Sequence, residues 1–183
     1  MGGLIRMQTR VLVAYATRYG STQEIAEVIV ATLRESGLEV DIEPAKEVKA
    51  LEGYTAVVLG APIYMLRWHK EAKSFLSRYR EALMKRPVAV FALGPFYDEE
   101  EEWKEVRAQL DKELEKFPWL TPVAIEIFGG KYDEEKLRFP DNILVRLPGS
   151  PLHNMPAIDI RDWDAIRDWA SKLVAQFQPA LAH

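Results

Sequence analysis

Five short strand-like runs recur along this chain, at Arg10–Ala16, Leu38–Ile42, Tyr54–Ala61, Val88–Leu93 and Pro122–Phe128, and Tyr54–Ala61 is almost continuously apolar. A strand without polar alternation must be covered on both faces, which is the condition of a central parallel strand. Four of the runs are followed by apolar residues at helical spacing. Ile25, Val28, Ile29, Thr32 and Leu33 mark the first helix, and Trp68, Ala72, Phe75, Leu76, Tyr79 and Leu83 the second. Trp103, Val106, Leu110, Leu114 and Phe117 mark the third, and Trp163, Ile166, Ala170, Leu173 and Phe177 the last. Strand and helix in alternation predict a doubly wound α/β domain with five parallel strands and helices on both faces. Ser21 and Glu24 have the spacing of a capping box, and Gly37 stands where the first helix should end.

The 183 residues suit a single domain, expected here over 1–183, with residues 1–9 as an N-terminal extension. Residues 131–158 break the alternation: they carry no clear period and hold four of the eleven prolines. A connection this long is unusual in a compact domain, so the segment is expected to be either functional or mobile.

Several function classes drop out on composition. With 24 Lys and Arg against 28 Asp and Glu, the net charge of −4 gives no field for a nucleic-acid backbone, and none is expected as partner. Without cysteine there is no disulfide, thiolate metal site or cysteine nucleophile. The histidines at 69, 153 and 183 form no close pair for a catalytic zinc, so no metal is expected. No apolar run approaches the roughly 20 residues of a spanning helix, and Met1 to Arg10 lacks a signal-peptide core, which makes a cytoplasmic protein the expectation.

In open α/β sheets ligands settle beyond the carboxyl ends of the strands, so the loops after the first, third and fourth runs are the ones to read. The first, Ala16-Thr17-Arg18-Tyr19-Gly20-Ser21-Thr22, places three hydroxyls and a glycine around a helix start. Unpaired N–H groups and the helix dipole make such a place fit for a phosphate. The same residues also fit a plain turn and helix cap. A P-loop would need a lysine after its second glycine, and a dinucleotide fingerprint three spaced glycines; neither is present.

This loop resembles the phosphate loop of the flavodoxin superfamily, which holds FMN without a lysine. Residues 60–72 (GAPIYMLRWHKEA) and 92–103 (ALGPFYDEEEEW) stand where that superfamily places the two loops flanking the flavin ring. Within it, the chain is similar to flavodoxin-domain proteins related to menaquinone-dependent protoporphyrinogen oxidase, from Arg10 to Phe177. The resemblance implies the sheet order 2-1-3-4-5, with a long irregular insertion after strand five, and FMN as cofactor. It gives the phosphate to Thr17, Arg18, Tyr19, Gly20, Ser21 and Thr22. It gives the ring to Pro62, Ile63, Tyr64, Met65 and Leu66 on one side, and to Leu93, Gly94, Pro95, Phe96 and Tyr97 on the other. Aromatic faces suit a flat π system, which favours Tyr64, Phe96 and Tyr97 as ring neighbours. Trp68 reads better as helix core. The insertion is more proline-rich and less basic than the oxidase group's, which is associated with membrane and quinone.

Two functions follow from the resemblance. One is an FMN-dependent oxidoreductase acting on a small molecule or quinone, of the protoporphyrinogen oxidase kind; the other is a non-enzymatic electron carrier between protein partners. No catalytic side chain is required, because the flavin carries its own redox chemistry. Peripheral membrane contact and a homodimer are both compatible with this reading. His69 is expected to cap the following helix rather than transfer protons, and Lys131 borders the ring or simply faces solvent. Residues 67–86 hold seven Lys and Arg against two Glu, while Asp98–Glu102 is unbroken acid beside the expected ring site. A receiver-type signalling domain would need acids where Thr17-Arg18 and Gly60-Ala61 stand, and is set aside. The insertion separates the two main readings: a roof over the ring favours a small substrate, an open ring edge beside the acidic run favours protein partners.

Overall fold

The computed structural model describes residues 8–150 and 152–178; residues 1–7 of the expected N-terminal extension lie outside them. Strands β1 (Arg10–Tyr15), β2 (Glu39–Pro44), β3 (Ala56–Tyr64), β5 (Val88–Leu93) and β6 (Ala124–Phe128) form the main sheet in the order β2-β1-β3-β5-β6. All four neighbouring pairs are parallel. Numbered as the five apolar runs, this is the expected 2-1-3-4-5 order, with the direction of winding reversing beside β1.

Alternation along the strands divides the core into two layers. Val11 and Val13 of β1 face α1 (Ser21–Glu35) and α6 (Trp163–Phe177), where Ile25, Ile29, Leu33, Ile166 and Leu173 are buried. Leu12 and Ala14 face the opposite layer, with Phe75 and Leu76 of α2 (Lys70–Arg78), Leu83 of α3 (Arg80–Leu83) and Leu110 of α4 (Glu100–Leu114). Each buried Leu, Ile or Phe contributes about 1.5–3 kcal/mol, so these two layers supply most of the drive to fold. Gly60 shows how tightly they meet: a Cβ there would lie 1.9 Å from the Phe91 ring. That ring in turn packs edge-on against Trp169 at 6.0 Å.

The local expectations hold with three differences. Gly37, at φ +87°, ends α1 as expected, but the Ser21/Glu24 capping box does not form. Gly20 takes the cap position and Ser21 becomes the first helical residue, while Glu24 is drawn to Arg161. The second helix breaks at Tyr79 into α2 and α3. Third, the loop expected after Ala61 begins as more strand: β3 continues to Tyr64, turns through Met65-Leu66, and pairs antiparallel with β4 (Arg67–Trp68). Trp68 lies on this hairpin rather than in the helix, yet it is core as expected, 1% exposed, with its indole N–H donating to the Ala61 carbonyl at 3.2 Å.

The insertion is irregular but not loose at its base. β7 (Lys131–Tyr132) pairs antiparallel with β8 (Ile158–Asp159), which clips the two ends of the excursion together next to the sheet. Between them lie a single 3-10 turn at Glu134–Lys136 and the short helix α5 (Asp141–Leu144).

Candidate functional site

The first loop is shaped by its own backbone. Ala16 N–H donates to Gly60 O at 2.9 Å and ties the end of β1 to β3. Gly20, at φ +92°, turns the chain into α1, and its N–H folds back onto Thr17 Oγ1 at 2.8 Å. A Cβ at Gly20 would meet nothing within 4 Å, so only the left-handed conformation requires glycine there. The Gly20 N–H is thus spent inside the loop, whereas those of Tyr19, Ser21 and Thr22 donate to no protein acceptor among the described residues. Thr22 is fully buried, and its hydroxyl has no hydrogen-bond partner. Such an orphan costs about 1–3 kcal/mol unless something accepts its proton. Free first-turn amides and an unpartnered buried hydroxyl fit an anion of phosphate type.

The helix start is braced from behind. Arg161, buried, donates to Glu24 at 2.6 Å and to Asp159 at 2.8 and 2.7 Å, and its Nη1 lies 3.4 Å from Ser21 O. The guanidinium also stacks over Trp163 at 4.5 Å. Hydrogen bonds from Arg161 hold the Asp159 carboxyl below its ordinary range. Lys131 adds a longer contact with Glu24, 3.7 Å.

Beyond this loop lies one crevice lined by Arg18, Tyr19, Ser21, Pro62, Ile63, Tyr64, Leu93, Gly94 and Phe96. Three separate stretches of sequence read as cofactor loops thus share a single wall. The remaining expected residues stand elsewhere. Thr17 and Gly20 border an adjacent recess with Gln23, Lys136 and Arg138. Met65 and Leu66, 63% and 64% exposed, hold φ of +49° and +60° at the hairpin tip and face outward. This is a primed turn made without Asn or Gly, at a cost of about 1–2 kcal/mol per residue. Tyr97 is exposed, and Pro95 offers its carbonyl to Gly130 N–H at 2.7 Å.

Two features were not readable in advance. Glu102, within the acidic run, accepts from both Phe96 N–H and Tyr97 N–H at 2.9 Å. Gly94 N–H goes to Phe128 O, and Pro95 has none, so the backbone donors from 94 to 97 are engaged by protein. The other feature is the roof. Lys131, Tyr132, Asp133, Lys136 and Leu137 complete the crevice from the insertion. Tyr132 meets Phe96 edge-on at 6.0 Å, and a Cβ on Gly130 would press to 3.1 Å from Pro95 O. Roof and walls leave about 70 Å³ between them. Lys131 lines the crevice; Tyr132 had no signal beyond an aromatic two residues past Gly130.

His69 is the cap of α2: its Nδ1 accepts from Glu71 N–H at 3.3 Å, and burial pushes its pKa down. Burial likewise raises the Tyr64 phenol, with the nearby Asp141 charge adding to the effect. Among the described residues no group of three or more His, Asp or Glu is placed to hold a metal, and no helix is long and apolar enough to cross a membrane.

Comparison with known proteins agrees with this geometry. The family profile described as "Flavodoxin domain" matches residues 12–153. Protoporphyrinogen IX dehydrogenase [quinone] of Escherichia coli K12 is 22% identical over 171 residues, covering 90% of this chain and 94% of the relative. Among solved structures, a flavodoxin from the domain Archaea superposes with a TM-score of 0.60 at 11% identity, covering 93% of this chain and all of the other. Flavodoxin 2 of Bacillus cereus gives 0.56 at 21% identity, covering 92% and 100%. The chain therefore belongs to the flavodoxin domain family, and the cofactor this membership implies, FMN, has in the Ser21–Thr22 helix start a place suited to its phosphate.

Proposed function

We propose that this protein is an FMN-dependent oxidoreductase that acts on a small molecule and passes electrons to a quinone, as the name of its Escherichia coli relative describes for that enzyme. Bound FMN supplies reversible hydride and electron transfer. The protein's part is to hold it. Backbone N–H groups of Tyr19, Ser21 and Thr22, with the hydroxyls of Thr17, Ser21 and Thr22, take the phosphate, and Arg18 adds positive charge; Gly20 supplies the turn. Pro62, Ile63 and Tyr64 flank the ring on one side, Leu93, Gly94 and Phe96 on the other. Met65, Leu66, Pro95 and Tyr97 form the outer rim.

The observation that carries the enzyme reading over the electron carrier is the roof. Lys131, Tyr132, Lys136 and Leu137 stand over the crevice, which makes a compartment for a small substrate rather than an edge open to a protein. The same segment exposes Phe139, Ile143, Leu144 and Leu147, with Arg138 next to Phe139 in sequence and Arg146 paired to Glu134 at 3.3 Å. Apolar and basic residues together suit an interfacial surface, which supports peripheral membrane contact for a quinone-linked enzyme. Residues 1–183 then act as one domain in the cytoplasm.

The test is to replace residues 138–150 by a short Gly-Ser linker, leaving β7 and β8 in place. The enzyme reading expects the variant still to take up FMN, though with faster exchange, while turnover of reduced protein with a soluble quinone is lost. Undiminished turnover, with efficient electron exchange to redox proteins, would favour the carrier.

A further inference from the structure

Arg18 and Tyr19 belong to the phosphate loop by sequence, yet their side chains are engaged by the insertion. Asp141, the first residue of α5 and only 3% exposed, accepts from Arg18 Nε at 2.5 Å and from Arg18 Nη2 at 2.5 Å. The same carboxylate oxygen accepts from the Tyr19 hydroxyl. Burial and this hydrogen bond raise the Tyr19 phenol, so it remains a donor. The Arg18 guanidinium lies over the Tyr64 ring at 4.8 Å. One buried carboxylate thereby joins three regions: the phosphate loop, the β3–β4 hairpin and the roof.

We propose that Asp141 is a positioning residue that docks the roof onto the phosphate loop, and that Arg18 and Tyr19 serve through their side chains chiefly as its receptor. On the reading above, the loop is then divided. Ser21, Thr22 and the free amides hold the phosphate, while the Arg18 and Tyr19 side chains hold the lid. Lys131, Tyr132, Lys136 and Leu137 of the roof line the same crevice as Pro62–Tyr64 and as Leu93, Gly94 and Phe96, so a three-ring flavin entering or leaving it passes the docked roof. The Asp141 contact therefore sets how readily any flavin enters or leaves, whether or not it carries a phosphate.

Lys136, Arg138 and Arg146, the trypsin sites between the two strands of the β7–β8 clip, make trypsin the probe of the roof's docking. Asp141→Asn should be cut there roughly tenfold faster than the parent protein, because a charge-assisted contact that opposes local opening is lost. Arg18→Gln combined with Asp141→Asn should be cut no faster than Asp141→Asn alone, since both changes remove the same contact. In stopped-flow fluorescence, Asp141→Asn should release FMN and riboflavin faster by the same factor. Unchanged cleavage overturns the docking role. Selective loss of FMN with riboflavin retained would also overturn it, by placing the contact in phosphate recognition instead. Tyr19→Phe, which deletes one hydroxyl, gives a milder check, with an expected cleavage increase of roughly threefold. A protein that binds neither flavin would refute the cofactor reading, while the cleavage rates would still decide the docking of the roof.

Discussion

In the loop after β1 six consecutive residues, Thr17 to Thr22, carry the groups proposed to take the phosphate, and Gly20 with its backbone conformation sets their arrangement. In the roof, contacts come from far apart in sequence: Asp141 reaches Arg18 across 123 positions, Tyr132 meets Phe96, and β7 pairs with β8. The loop is fixed by the strand before it and the helix after it. The roof is fixed at its base and by a few side-chain contacts, with Phe139, Ile143, Leu144 and Leu147 left on its surface. If the proposed site holds FMN, it pairs an anion seat set by local backbone with a cover held by a few long-range contacts, a combination suited to a ligand that must enter and then be enclosed.

The contrast can be broken or sharpened by substitutions, and the largest effect should come from the loop. Ser21→Ala with Thr22→Ala removes two hydroxyls from a charged ligand and should cost about 3 kcal/mol of FMN affinity, or more than a hundredfold, with riboflavin nearly unaffected in isothermal titration. Next comes the wall between them. A Cβ at Gly94 would lie 2.2 Å from Val106 Cγ1, so Gly94→Ala should lower stability by about 2–3 kcal/mol in urea unfolding and displace α4 from the second loop.

The brace beneath loop and roof ranks third. Arg161→Gln leaves Asp159 and Glu24 without their buried partner and should cost about 2 kcal/mol of stability. Because Arg161 lowers the folded-state pKa of Asp159, its stabilisation is complete above the ordinary carboxylate pKa and fades as pH falls through the lower folded value. The Arg161→Gln penalty should therefore shrink in strong acid, as measured by urea midpoints across pH. The smallest effect is expected at His69. Its folded pKa is lowered, so the unfolded chain binds the proton more readily, and the cap's contribution is lost as pH falls below about 6.5. His69→Ala should cost about 1 kcal/mol at neutral pH and less at pH 5, by the same midpoints.

What could be read in the sequence follows the same division. The five strand-like runs located the parallel strands because period and burial are local signals, and ATRYGST was legible as a strand-to-helix turn because a strand, a glycine and a helix start lie side by side. Glu24 was misread as a capping partner because its actual partner, Arg161, lies 137 residues away. The Met65-Leu66 turn gave no warning, since large apolar residues seldom adopt positive φ and only the surrounding hairpin imposes it. Nothing in sequence singles out Glu102 within a run of five acids, although its position six and five residues after Phe96 and Tyr97 lets a helix start turn back onto their amides.

The most direct test of the phosphate seat is ³¹P NMR of the FMN-loaded protein between about pH 5 and 8, a range that spans the second ionisation of a free phosphate monoester near about 6. Held by the amides and hydroxyls of Ser21 and Thr22, the bound phosphate should stay dianionic, and its resonance should keep one position across the range. A bound resonance that moves with pH as free FMN does would place the phosphate in solvent and contradict the assignment of this loop.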